Sequence, residues 1–208
     1  MVAFGARPVR EQEIADALWP DAEGDAARQA LAVTLHRLRR LLRHDAAVHR
    51  HEGCLELDAR QVWSDVAALD ASLQRARPAS PDVRARLVDE SLQLYRGPLL
   101  AGDEDEPWTT APRDRLRARL ARELQEVARA FESSGDTDRA ASCYLKALDI
   151  DDRAEDIYRR LIALYQRLGR RAEALGLYQR CQTTLRDTVG IAPSPETQAI
   201  VRGLRIAD

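Results

Sequence analysis

The stretch DAARQALAVTLHRLRRLLR, residues 25–43, decides how the first part of this chain is read. Leu31, Leu35, Leu38 and Leu42 recur at steps of four, three and four, which puts them on one face of a helix with Thr34 and Leu41 beside them. The opposite face carries Arg28, Gln29, His36, Arg37, Arg39, Arg40 and Arg43, and no acid occurs from Ala26 through His44. Asp25 stands where an N-cap is expected, and its charge suits a helix N-terminus. An isolated basic face is usually just a solvated one, so the neighbouring segments decide. Upstream, residues 10–19 (REQEIADALW) predict a short helix with Ile14, Leu18 and Trp19 inward, stopped near Pro20. Downstream, residues 47–57 (AVHRHEGCLEL) alternate apolar and polar around Glu52-Gly53, which predicts a β-hairpin. Short helix, turn, basic helix and hairpin is the order of a winged helix-turn-helix, whose second helix enters the DNA major groove.

The run LWPDAEGDAARQALAVTLHRLRRLL, residues 18–42, resembles the DNA-binding half of the SARP/AfsR-like bacterial activators. Their winged helix is of the OmpR/PhoB type, with a recognition helix ending in a basic R-L-R run, a place that Arg37-Leu38-Arg39 takes here. The resemblance implies that the hairpin is the wing. It also implies a preceding helix, of which Val2, Ala3 and Phe4 read as the last turn, closed by Gly5 and followed by a short strand at Pro8 and Val9. The chain therefore reads as a fragment, or the product of a mis-assigned start, with an N-terminally truncated winged helix. Ile14, Leu18, Leu31, Leu35 and Leu38 are then expected to lack part of their cover. The wing tip His51-Glu52-Gly53 departs from the basic or small residue that suits a nearby phosphate backbone.

With 208 residues the chain holds one or two domains and a sizeable core. Its 32 basic and 34 acidic residues leave a net charge of −2, which excludes a general polyanion binder, so any DNA contact has to come from a local patch. No apolar run approaches the length of a membrane span, and the N-terminus has no signal-peptide hydrophobic region. Cys54, Cys143 and Cys181 are scattered, with no CxxC, which fits free thiols in a reducing cytoplasm. His49, His51 and Cys54 lack a fourth ligand at sensible spacing and read as hairpin side chains rather than a metal site.

From Gln61 onward the pattern is helical. Residues 62–75 place Val62, Val66, Leu69 and Leu73 on one face, with Ser64 or Asp65 as the cap, and residues 82–95 do the same with Val83, Leu87, Leu92 and Tyr95. An irregular stretch is expected over residues 96–115, anchored by Leu99, Leu100 and Trp108, with the run Asp103-Glu104-Asp105-Glu106 as a solvated loop. The sequence then repeats itself. Val127 and Leu161, Phe131 and Tyr165, Gly135 and Gly169, Ala140 and Ala174, Tyr144 and Tyr178, and Ala147 and Cys181 each lie 34 residues apart, the tetratricopeptide period. In GIAPSPET, residues 190–197, Gly190 is expected to end one helix and Ser194 to cap the next, which opens at Pro195 and runs to Leu204. YRGPLLAGDEDEPW, the two repeats and GIAPSPET resemble the bacterial transcriptional activator domain (BTAD) that follows the winged helix in SARP/AfsR-like regulators.

These readings give a mostly α chain: a truncated winged helix-turn-helix over residues 1–60 and a tetratricopeptide-like domain over 61–208. There is no phosphate-binding loop, HExxH or nucleophile elbow, so no enzyme activity, cofactor or metal is expected. The expected function is a DNA-binding transcriptional regulator, in which Arg37 contacts a base edge, Gln29 and Val33 touch bases on the same face, and Arg28, Arg39, Arg40 and Arg43 hold phosphates. The resemblance implies promoter direct repeats as the double-stranded DNA target, with the helical domain mediating homodimerisation or contacting RNA polymerase. The competing reading is a protein-interaction module of repeats without DNA binding.

Overall fold

The computed structural model describes residues 7–102 and 106–206, the last three by their backbone. The readings of Val2–Phe4 and of Asp103-Glu104-Asp105 lie outside these residues. Packing divides the chain into one unit of residues 1–77 with 89–114, and a second of residues 78–88 with 115–208.

The first unit opens with β1 (Val9–Arg10), α1 (Glu11–Leu18) and α2 (Gly24–Leu42), followed by β2 (Val48–His51) and β3 (Cys54–Leu57). The strands form an antiparallel sheet in the order β1-β3-β2, with Val9 opposite Leu55 and Val48 opposite Leu57. Glu52 and Gly53 both have positive φ, +48° and +73°, so the predicted hairpin closes on a two-residue turn of the kind that matches strand twist. Val9, Ile14, Leu31, Leu35, Val48 and Leu55 form the core, with Trp19, Leu38 and Leu57 packed against it. This is a winged-helix arrangement: α1 and α2 lie on a small sheet whose inner face supplies three of the six core residues.

Several local expectations need correction. Ile14, Leu31 and Leu35 are buried, not short of cover, because Val9, Val48 and Leu55 reach them from the sheet. Leu18, by contrast, does lack cover: it lies not inward but 41% exposed, and Leu41 is 80% exposed. A helix turn of 3.6 residues cannot keep both Leu41 and Leu42 on the stripe of Leu31, Leu35 and Leu38, and Leu42 is itself exposed near the helix end. Asp25 is not the N-cap: α2 starts two residues earlier than that, at Gly24, with Glu23 in the cap position, and Asp25 in the first turn pairs with Arg28 at 3.3 Å. Arg43 ends the helix in the left-handed conformation.

Helix α3 (Asp65–Ala76) starts at its cap, where Ser64 Oγ accepts from the Ala67 N–H at 3.4 Å, so Val62 lies before the helix. In α4 (Pro81–Leu94) Leu87, Val88 and Ser91 are buried, while Val83 is exposed. The irregular stretch ends earlier than expected, since α5 (Pro107–Ser133) begins at Pro107. Proline is favoured at the first helical position, where its missing N–H costs nothing, and Pro112 follows inside the helix. Trp108 is therefore a first-turn helical residue. Its neighbour Thr109 bonds back to the Glu106 carbonyl through both its N–H and its hydroxyl. Of the other loop anchors, Leu99 is half-buried and Leu100 exposed. The loop is held instead by Arg113, which donates to the Leu99 carbonyl at 2.5 Å and to that of Leu100.

In the second unit α5, from Arg115 on, is followed by α6 (Thr137–Ile150), α7 (Glu155–Arg167), α8 (Arg171–Val189) and α9 (Pro195–Ile206). The period of 34 appears as repeated geometry. Gly135 and Gly169 have φ of +83° and +71°, and one residue after each the N–H closes the helix end: Asp136 onto the Phe131 carbonyl, Arg170 onto that of Tyr165. Val127, Leu161, Phe131, Tyr165, Ala140, Ala174, Ala147 and Cys181 are all buried, so the small residues do stand where helices approach closely. Tyr144 and Tyr178 differ: the first is fully buried, the second half-buried.

Gly190, at φ +77°, ends α8, and Ser194 caps α9, its Oγ accepting from the Thr197 N–H at 3.4 Å. One oxygen of Glu155, in the first turn of α7, accepts from Ser194 N–H, Ser194 Oγ and Thr197 Oγ1 at 2.8, 2.6 and 2.5 Å. GIAPSPET is thus a helix start docked onto a carboxylate. Partial burial alone would raise the pKa of Glu155, but the bonds from Ser194 and Thr197 outweigh it and hold the pKa below its ordinary value. A depressed carboxylate pKa contributes stability above the unfolded pKa that is lost as pH falls through the folded one. Glu155→Gln is therefore expected to cost about 2 kcal/mol near neutral pH, as bonds to a charged acceptor do. The difference from the parent should shrink as pH falls through the depressed folded pKa of Glu155, below the ordinary carboxylate range, where the parent carboxyl itself takes up a proton. Chemical denaturation at several pH values measures this, and a pH-independent difference would contradict it.

Candidate nucleic-acid interface

Helix α2 is fixed by its apolar stripe, so the direction of its outer face follows. At about 100° per residue, Gln29, Val33, His36 and Arg40 fall within about 60° of one another, across the helix from Leu31 and Leu35, with Arg37 about 40° beyond Val33. All five are exposed, and Val33, an apolar residue, is 44% so. Gln29, Val33 and Arg37 climb the helix at one turn per step, which presents an amide, a methyl-bearing side chain and a guanidinium in a row. These groups can read base edges: a guanidinium donates to two guanine acceptors, an amide matches adenine, and an apolar group meets the thymine methyl. A helix of this width also fits the major groove, about 12 Å across.

The remaining cations differ in their surroundings. Arg40 is exposed, and Arg43 is exposed at the helix end, where its left-handed conformation turns the chain toward the wing. Arg28 is exposed and pairs with Asp25. Arg39 turns inward: it is half-buried, and its Nη2 donates to the Val48 carbonyl at 2.7 Å, tying α2 to the first strand of the wing.

The wing itself carries side-chain pairings that the sequence does not announce. Arg50 forms a two-toothed pair with Glu11, Nε to Oε1 at 2.5 Å and Nη2 to Oε2 at 2.6 Å, and this hydrogen-bonded partner raises its pKa. The Glu11 N–H donates to the Gly53 carbonyl at 2.9 Å, so the start of α1 holds the hairpin at two points. At the base of the wing His49 meets Asp58 at 3.2 Å; the Arg60 N–H and then His49 lower the pKa of that carboxyl. These partners lie 39 and nine residues apart, and no local pattern announces them. No group of three or more His, Cys, Asp or Glu side chains suited to a metal ion occurs among the described residues, and there no helix is long and apolar enough to cross a membrane.

Residues 57–205 match the family described as the bacterial transcriptional activator domain. The transcriptional regulatory protein EmbR of Mycobacterium tuberculosis is 28% identical over 209 residues, covering 93% of this chain and 52% of EmbR. The regulatory protein AfsR of Streptomyces coelicolor is 29% identical over 213 residues, covering 94% of this chain and 20% of AfsR. The chain thus spans about half the length of the one relative and a fifth of the other. Among solved structures, Mycobacterium tuberculosis EmbR in complex with a low-affinity phosphopeptide shares the fold. Its TM-score is 0.65 at 22% sequence identity, over 97% of this chain and 55% of that one. The first of these relatives is a transcriptional regulatory protein and the second a regulatory protein, in line with what the resemblance read from the sequence implies. With its repeats, its GIAPSPET docking and a match over residues 57–205, the chain belongs to the bacterial transcriptional activator domain family.

Proposed function

We propose that this chain is a DNA-binding transcriptional regulator of the activator type, or the regulator portion of a longer one, and not an enzyme. The observation that carries the reading is the exposed outer face of α2, where Gln29, Val33, Arg37 and Arg40 stand unspent by the fold on a helix that the sheet holds rigidly from behind. In this reading residues 1–60 read double-stranded DNA and residues 61–208 form the activator part. Arg37 makes the base-edge contact, Gln29 and Val33 line the same face, and Arg28, Arg40 and Arg43 hold phosphates. Arg39 holds the wing through Val48, and only what its guanidinium has to spare reaches a phosphate. The helical repeats mediate homodimerisation on promoter direct repeats or contact RNA polymerase, and the chain works in the cytoplasm.

A salt series of gel shifts on promoter and random duplexes tests this. Binding of the 208-residue chain should weaken steeply with salt, because each neutralised phosphate releases counterions, and neutralising the α2 arginines should abolish it. Absence of salt-sensitive binding at micromolar protein and low salt would instead favour a repeat module that recognises only other proteins.

A further inference from the structure

The two DNA-side elements of the first unit carry opposite charge. Over residues 24–43 five arginines face one acid, Asp25, whereas over residues 48–58 one arginine, Arg50, faces Glu52, Glu56 and Asp58. Pairing sharpens the contrast. Arg50 is spent on Glu11, and Asp58 is occupied by His49 and the Arg60 N–H. Glu52 stands at the tip of the turn, with a side chain 84% exposed and the His51 ring 3.9 Å from its carboxylate. Its backbone is left-handed, φ +48°, a conformation that asparagine or glycine adopts at lower cost, so the carboxylate is not there for the turn's sake.

We propose that Glu52 is an electrostatic brake on DNA binding: the wing tip repels the phosphate backbone, so affinity comes from α2 alone and is held below what the fold could deliver. The proposal rests on the DNA-binding reading above. In the DNA-binding reading the wing tip lies beside the phosphate backbone when α2 lies in the groove, and at short range a like charge in water opposes binding measurably. The Glu11–Arg50 fork and the Glu11 N–H bond to Gly53 hold the backbone of the tip in place beside α1.

The test is fluorescence anisotropy of the whole chain with a labelled mixed-sequence duplex, comparing the parent, Glu52→Gln and Glu52→Asn, with a thermal melt of each. Both neutral variants should bind about threefold more tightly at low salt. The gain should shrink between about 0.01 and 0.1 M salt, where binding is still measurable and the screening length falls from about 30 to about 10 Å. Unchanged affinity in both variants at low salt overturns the proposal. So does a gain confined to Glu52→Asn, or one that does not shrink over this salt range, since either would trace to turn geometry and not to charge. If the parent shows no salt-dependent binding that requires the α2 arginines, the DNA reading fails and the brake falls with it.

Discussion

Tyr144→Ala is expected to destabilise the second unit by about 3–5 kcal/mol, the range of large core truncations that the surroundings cannot fill. The ring is fully buried in α6, and its hydroxyl donates to Glu132 Oε2 at 3.0 Å, while the other oxygen of Glu132 takes Arg167. Truncation would therefore leave a cavity and remove one of the two hydrogen bonds on a partly buried carboxylate. Burial first, and the Glu132 charge second, raise the phenol's pKa well above its ordinary value, so it stays a neutral donor throughout the accessible pH range. Tyr144→Phe, which keeps the ring, should cost only about 1 kcal/mol, the net worth of one such bond. Tyr178→Ala serves as the comparison. It occupies the same place in the repeat 34 residues on, but it is half-buried, and its loss should cost about half as much or less. Chemical denaturation of the three variants decides this, and equal losses at Tyr144 and Tyr178 would show that repeat position, not burial, sets the cost.

That asymmetry marks how far the sequence could be read. A period of 34 depends on residue type alone, so it identified the buried pairs Phe131 and Tyr165 and Ala140 and Ala174, and the turns at Gly135 and Gly169. It could not tell that the second tyrosine would be left half-buried. The leucine spacing of α2 shows which side faces inward, and from that the outer face of Gln29, Val33 and Arg37 follows from the sequence alone. Less was legible where two signals compete at one position. Asp25 and Glu23 both suit a helix start, and Leu41 and Leu42 both suit the stripe. At Pro107 a proline that reads as a loop residue opens a helix instead. What stayed hidden is the pairing of side chains distant in sequence. Arg50 meets Glu11, and Glu155 meets Ser194, each across 39 residues, and Arg39 spends a donor on the Val48 carbonyl, which carries no side-chain signature at all. On the helix wheel Arg39 falls about 40° from Leu35 whereas Arg37 and Arg40 lie across from it, so the spacing separates the cation that turns inward, and only the fold shows that it meets the Val48 carbonyl.

The same separation predicts how DNA binding should respond to losing one cation at a time. Arg37→Ala is expected to cost about 1–3 kcal/mol on the preferred sequence and to relax the preference at one base pair. A bidentate bond to a base edge exists only where the right base sits, so unrelated sequences should lose much less. Arg40→Ala should behave differently. A phosphate is present at every step of the duplex, so binding should weaken alike on all sequences, and the slope of affinity against salt should become shallower by roughly one phosphate contact. Arg39→Ala gives a third pattern. Its Nη2 holds the Val48 carbonyl, and its loss should lower the stability of the first unit along with any effect on binding, a coupling that neither exposed arginine should show. Measuring affinity on a set of single-base variants of the preferred site, at two or more salt concentrations and beside a thermal melt, separates the three. A uniform, salt-shallowing loss from Arg37→Ala would place that side chain on the backbone and pass the reading of bases to Gln29 and Val33.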